Sequence, residues 1–526
     1  MSEPRYYPAT YADERPFAPA VVLARTGDAI SWRRLDERST RIARLLRDVG
    51  LRTGDTVALL IENHPTAYEI VWAVLRSGLR YTFVNSMLTS GEAVEIVDSA
   101  SAPVMICSTR LLALGDAIAA ALPALEHRFA VRSTGDLSLE PLLPGWRALD
   151  DAIATMSPTR LPDEREGAPL WFSSGTSGRP KGVLRALPDA PAGTLDDVAR
   201  SYGERYGFSP STVHLTVGPL HHAAPIGFST MVQRFGGTVV LTERFDAEEM
   251  LRYIEHYRVT FTHVVPTMFV RLLKLPGAVR DRYDVTSLQH VLHGAAPCPV
   301  EVKRQMIAWW GPILDEYYAG TEGVGATTIT SDEWLEHPGS VGRAQRGTIH
   351  IADDSGCELP AGTEGTVWFD HPVKAVYRGD PAQTAAITHA RGWQTLGDVG
   401  FVDHDGYLFL TDRWTHKIVT GGVNVFPREI EDVLVAHPKV LDVAVIGTPH
   451  EEMGEEVRAV VEPVDWDDAG APLAAELVAW CRDRLAHHKC PRAVDFAPTL
   501  PRGDNGKLYK RLIRDRYWTD RPTRIL

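Results

Sequence analysis

Apolar positions along the first third of the chain switch repeatedly between two periods. Within residues 31–50, Leu35, Ile42, Leu45, Leu46 and Val49 share one helical face, and Gly50 ends the run. Residues 56–61 (TVALLI) form a short continuous apolar run of strand length. Residues 68–75 then read as helix, 81–84 as strand, 91–98 as helix and 103–107 as strand. The rhythm resumes with strands at 213–217, 238–241 and 260–265 and helices at 226–234 and 247–256. Such alternation predicts parallel sheets covered by helices on both faces, in two similar lobes.

The pattern changes further along. Glycine-led alternating runs at 347–351, 365–369 and 406–410 predict small β elements. A last unit begins near Asp412, with helices at 427–437 and 474–485 and strands at 443–447 and 458–463. The expected fold is therefore α/β: a large N-terminal domain of two α/β lobes plus a small β subdomain, then a small α+β unit.

Composition narrows the function. With 526 residues, 44% hydrophobic and 23% charged, the chain is neither disordered nor collagen-like. A net charge of −13 argues against nucleic-acid partners, which are held through Lys and Arg. The segment 489–526 runs against the acidic whole, with ten Lys or Arg against four Asp. It reads either as a solvated charged tail or as a local phosphate-seeking surface. Five scattered cysteines contain no C-x-x-C pair, which points to reduced thiols and a cytoplasmic setting. No apolar run is long enough to span a membrane, and the N-terminus lacks an apolar signal core.

The most informative stretch is Ser173-Ser174-Gly175-Thr176-Ser177-Gly178-Arg179-Pro180-Lys181-Gly182. It follows Leu170-Trp171, an apolar pair placed to end a strand. Its glycines let backbone approach a ligand closely, its hydroxyls offer donors to phosphate oxygens, and Lys181 adds a positive charge. A Walker A loop is excluded because the G-K-[ST] ending is missing. The bland alternative is a flexible surface loop.

This string resembles the phosphate-binding loop of the adenylate-forming superfamily, which includes acyl-CoA synthetases, peptide-synthetase adenylation domains and luciferases. Further motifs follow in the family's order over nearly the whole chain. Tyr318-Ala319-Gly320-Thr321-Glu322 resembles the element whose tyrosine packs on adenine, whose threonine contacts phosphate and whose glutamate holds magnesium. Alone, the Thr-Glu pair reads as a helix cap after a buried strand. His293-Gly294-Ala295-Ala296-Pro297 resembles the turn bordering adenine and the acyl group. Pro219-Leu220-His221-His222 resembles the element near the acyl carboxylate, which gives His222 an orienting role. Gly392-Trp393-Gln394-Thr395-Leu396-Gly397-Asp398 resembles the segment whose aspartate accepts both ribose hydroxyls, and Arg413 the arginine that also contacts ribose. Leu396 stands where the family has Thr.

Two residues past Arg413, at the hinge position usually held by Lys or Asp, stands Thr415. Thr420-Gly421-Gly422 resembles the loop lining the pantetheine tunnel, with Gly422 beside the thiol arm. Leu500-Pro501-Arg502-Gly503-Asp504-Asn505-Gly506-Lys507 resembles the catalytic lysine loop.

The resemblance implies a domain of residues 1–411, a mobile lid of 412–526, and a hinge at about 412–415. It implies ATP, Mg²⁺ and coenzyme A as cofactors, with Glu322 as the metal residue. The implied reaction activates a hydrophobic or aromatic carboxylic acid as an acyl-adenylate and transfers it to CoA. Related scaffolds offer other acceptors or acids: a carrier-protein thiol, an amine, or nitrite activated for diazotisation. Oligomeric state is open, a homodimer included. A serine hydrolase is excluded, because no G-x-S-x-G elbow occurs.

Overall fold

The computed structural model describes residues 5–133, 142–174, 180–413, 418–420, 423–450, 452–503, 506 and 508–518. Within these, the side chains of 173, 174, 180, 412, 413 and 424 are outside the description. The chain divides into two compact units. One comprises residues 1–263, 283–290 and 375–384; the other comprises 264–282, 291–374 and 385–526.

The first unit is built on two mainly parallel sheets. One has the strand order Arg147–Ala148, His127–Val131, Val104–Ser108, Thr56–Leu60, Arg80–Phe83, Ala168–Pro169. All its pairings are parallel, as the helix-separated runs require. In the other, Val213–Thr216 lies between the strand starting at Phe261 and Thr238–Leu241, and Pro19–Leu23 follows. Helix Trp32–Asp48 starts where Ser31 accepts a hydrogen bond from the Arg34 N–H, a serine N-cap. Helix Thr66–Leu75 is buried on almost every side, with its one acid, Glu69, held by Arg38 at 2.7 Å.

Around the glycine-rich string the expectation needs correction. Leu170-Trp171 does not end a strand. Trp171 opens strand Trp171–Ser174, which pairs antiparallel with Pro180–Leu184. The strings's first two serines and its lysine therefore stand on a hairpin, with Lys181 opposite Ser173. Gly175, Thr176, Ser177 and Gly178 lie outside the described residues.

In the second unit, His290–His293 and Leu314–Ala319 run parallel, with Val291 opposite Leu314. From there the sheet continues antiparallel through Ala326–Ile329, Ser340–Arg346, Leu408–Arg413, Gln394–Val402, Gly365–Asp370 and Thr348–Ala352. These are the small β elements expected from the glycine-led runs. The C-terminal part is centred on the hairpin Val440–His450 with Gly454–Pro463, flanked by Ile418–Thr420 and by Ala493–Phe496. Ala444, Ile446, Val460, Leu500 and Ile513 form one of its buried apolar clusters. The architecture is α/β with a large N-terminal part and a smaller C-terminal one. Among the described residues no helix is long and apolar enough to cross a membrane. Four cysteines are buried, and Cys357 is exposed.

Candidate functional site

In the second unit, Tyr318 and Asp398 meet. Tyr318 closes strand Leu314–Ala319 with Ala319, and its hydroxyl donates to Asp398 Oδ2 at 2.6 Å. Asp398 is buried in strand Gln394–Val402. Gly397 precedes it at φ +82°, a left-handed conformation that turns the strand locally, and its N–H donates to Thr395 Oγ1 at 2.9 Å. The backbone of Arg413 pairs opposite Asp398, while its side chain is outside the described residues.

Gly320 follows at a close approach. A Cβ there would lie 2.4 Å from Leu396 Cδ2 and 2.8 Å from Glu322 Oε2. Thr321 and Glu322 sit in a turn, and the next element is strand Ala326–Ile329, so the helix-cap reading is excluded. Thr321 Oγ1 donates to Glu322 Oε2 at 3.2 Å. Glu322 is half-buried, which suits a carboxylate offered to a hard cation that keeps most of its water.

Behind this turn lies a charge cluster that sequence reasoning missed. Lys303, fully buried on helix Val300–Trp310, places Nζ 2.8 Å from Glu316 Oε2. His293 Nε2 lies 3.6 Å from the same oxygen, and Nζ stands 4.9 Å over the Trp334 ring. Glu316 thus meets both the buried ammonium of Lys303 and the ring that ends strand His290–His293. Gly294 then passes so close to Tyr317 that a Cβ would sit 2.6 Å from its ring. Ala295 takes a left-handed φ of +66°, Ala296 follows, and Cys298 is buried just beyond. The only sequence signal was a lysine among the apolar positions Val302, Met306 and Ile307.

In the first unit, Lys181 Nζ donates to Gln383 Oε1 at 2.5 Å and stands 5.4 Å over the Tyr377 ring. His222 is the N-cap residue of helix Ala223–Arg234. Among the described residues its Nε2 is buried without a hydrogen-bond partner. Burial, helped by the neighbouring His221 ring at 4.2 Å, pushes its pKa down to about 3, so the imidazole is neutral. The loop before it hangs on Asn63. This side chain donates to Gly218 O at 3.1 Å and Thr242 O at 2.9 Å, and accepts from the Leu220 N–H at 2.8 Å. Asn63 was not singled out, because its partners are 155 and 179 residues away.

Lys507, Gly422 and Thr415 lie outside the described residues. Around Lys507, Arg502 forms a bidentate pair with Asp442, its Nη2 reaching Oδ1 at 2.6 Å. Arg502 Nη1 also donates to Gly506 O at 2.5 Å. The basic stretch is partly neutralised by helix Pro427–Val435: Lys489 pairs with Glu429 at 2.5 Å and Lys510 with Glu431 at 2.8 Å. That weakens its reading as a phosphate-seeking surface.

Known proteins resemble this chain over nearly its whole length. The AMP-binding enzyme family matches residues 9–379, and the AMP-binding enzyme C-terminal domain matches residues 429–507. A fatty acid–acyl-carrier-protein ligase of Streptomyces coeruleorubidus is 31% identical, covering 98% of this chain and 96% of the relative. A feruloyl-CoA synthase of Amycolatopsis is 31% identical, covering 97% of this chain and 98% of the relative. The crystal structure of ATP-bound MatB from Rhodopseudomonas palustris superposes with a TM-score of 0.80 at 27% identity, covering 98% of this chain and 99% of that one. The chain belongs to the AMP-binding enzyme family of adenylate-forming proteins, in its acyl-CoA synthetase branch.

Proposed function

We propose that this protein is an AMP-forming acid–thiol ligase that activates a hydrophobic or aromatic carboxylic acid with ATP and passes the acyl group to coenzyme A. The observation that carries the reading is the Tyr318–Asp398 pair beside the Gly320-Thr321-Glu322 turn. A buried carboxylate aimed by a tyrosine suits a ribose, and the adjoining turn offers a half-buried acid to a metal–phosphate group. Full-length similarity to acid–thiol ligases supports the same chemistry.

In the first step a carboxylate oxygen attacks the α-phosphorus of ATP and pyrophosphate leaves. Ser173, Ser174, Gly175, Thr176, Ser177, Gly178 and Lys181 would hold the phosphates. Tyr318, Ala319, Gly320, Gly294, Ala295 and Ala296 would border the base, and Asp398 and Arg413 the ribose. Glu322 would hold Mg²⁺, whose charge offsets that of the phosphates, and Thr321 would donate to a phosphate oxygen. Lys507 would lie between the two anions and stabilise charge on the transferring group. A neutral His222 would orient the acid through a hydrogen bond rather than through charge. In the second step a thiolate attacks the acyl carbon and AMP leaves, with the thiol arm passing Gly422. We place the two domains at 1–411 and 412–526, with the pivot at about 412–415.

An aromatic or apolar acid is supported by the rings packed on helix Ala223–Arg234. Phe228 lies 5.4 Å from Tyr202 and stacks on His263 at 5.1 Å. The test is a pyrophosphate-release screen across acids, with and without CoA. Release that depends on one acid class, with CoA consumed in step, supports the ligase. Acid-dependent release indifferent to CoA moves the reading to a carrier-protein acceptor, as in the Streptomyces relative.

A further inference from the structure

Helix Pro266–Leu273 meets the C-terminal part of the second unit at both of its ends. Near its start, Val265 and Thr267 face the loop that leads into Lys507. A Cβ on Gly506 would lie 2.7 Å from Thr267 Oγ1 and 3.0 Å from Val265 Cγ2, so bare backbone is needed for this approach. Gly506 also holds a φ of +76°, which a side chain would strain.

At the other end Lys274, the C-cap residue, sends its ammonium to two backbone carbonyls. Nζ donates to His437 O at 3.2 Å and to Pro438 O at 3.4 Å. These carbonyls follow the C-terminal end of helix Pro427–Val435, where a cation is favoured by the helix dipole. His437 is itself fixed, with Nε2 3.2 Å from Glu476 Oε1 and its ring edge-on to Trp480 at 4.9 Å. Lys274 is half-buried and, among the described residues, makes no ion pair. Burial lowers its pKa, a desolvation penalty that the two carbonyl contacts offset in part.

We infer that Lys274 is a positioning residue: it latches the C-terminal domain to helix Pro266–Leu273 in the orientation that brings the Lys507 loop against Thr267. Resting on the two-step reading above, this latch favours the adenylate-forming orientation. The thiol step, which requires Lys507 to withdraw, must break both contacts. Lys274 touches no reacting atom and acts through the placement of Lys507.

Two measurements test the latch. The first uses the full chain without substrate: hydrogen exchange followed by mass spectrometry in Lys274→Ala and Lys274→Arg. Peptides covering 265–274 and 500–508 should exchange about tenfold faster in Lys274→Ala, the scale of a lost hydrogen bond to a charged group. Other peptides should be unchanged, and Lys274→Arg should stay near the unmodified chain. Unchanged exchange in both peptides, or faster exchange throughout the chain, overturns the latch. The second compares acid-dependent pyrophosphate exchange with thioester formation from supplied acyl-adenylate. In Lys274→Ala the ratio of the second rate to the first should rise about tenfold. A proportional fall in both rates marks a merely structural residue and overturns the proposal. If the unmodified chain releases no pyrophosphate with any acid, the functional reading fails, and the exchange measurement decides the docking contact by itself.

Discussion

The hydroxyl of Tyr318 donates to Asp398 Oδ2 at 2.6 Å. The carboxylate proposed for the ribose is thus aimed by the residue whose ring is proposed to meet the base. Tyr318→Phe should keep the ring and remove this hydrogen bond to the carboxylate. The KM for ATP should rise about tenfold, as expected for a lost hydrogen bond to a charged group, with kcat changed far less. An unchanged KM would show that Asp398 needs no such support.

Glu322→Gln preserves shape and removes the charge offered to magnesium. Apparent Mg²⁺ affinity during adenylate formation should weaken, and a magnesium titration of pyrophosphate release reads this directly. A titration that superimposes on that of the unmodified enzyme removes Glu322 from the metal site.

Lys507→Ala should remove about 2.7–4 kcal/mol of transition-state stabilisation, by comparison with loss of a preorganised donor elsewhere. Pyrophosphate release should collapse while supplied acyl-adenylate and CoA still give thioester. Equal losses in both half-reactions would contradict a lysine that serves the first step alone.

Lys303→Met leaves Glu316 buried without its cation. Breaking a buried pair from one side costs about 3–5 kcal/mol, so denaturant midpoints should fall clearly with the slope unchanged. A midpoint within error of the unmodified protein would mean that Glu316 finds another partner in the cluster.

Four desolvated histidines make stability depend on pH. Burial holds His214 and His221 at about 4 and His222 and His263 at about 3. The folded rings stay neutral while the unfolded chain takes up protons below about 6.5. Their contribution is intact above that pH and is lost as the pH falls from there toward 4. Each group adds up to about 1.4 kcal/mol per pH unit to the slope. Urea unfolding of His263→Phe at pH 7, 6 and 5 should give a shallower decline than the unmodified chain; parallel lines would exclude His263 as a contributor.

Apolar periodicity marked the elements well where burial is one-sided or complete. Residues 238–241 were read as a strand, and Thr238–Leu241 is one. Where pairing rather than periodicity sets the length, the reading fell short. Residues 443–447 were read as strand, yet its partner Gly454–Pro463 carries the ladder over Val440–His450. The helix expected at 226–234 starts at Ala223, because Pro225 is tolerated in a first turn where its missing N–H has no partner to lose. Motif residues such as Tyr318 and Asp398 were legible one by one, but the bond between them spans 80 positions. Asn63 and Lys274 escaped notice for the same reason. Each is an ordinary polar residue locally, and its importance comes from partners distant in sequence.

The burial of the cysteines bears on what an acyl-adenylate would encounter. A mixed anhydride of this kind acylates thiolates readily, including those of the protein that made it. Burial raises the pKa of Cys107, Cys298 and Cys490, and that of Cys481 to about 12. Those four side chains stay protonated and out of reach, and Cys298 does so close behind the turn proposed to border the base. At those four positions self-acylation is suppressed by the same packing that stabilises the fold, which leaves the exposed Cys357 and a thiol arriving from solution as the thiols within reach.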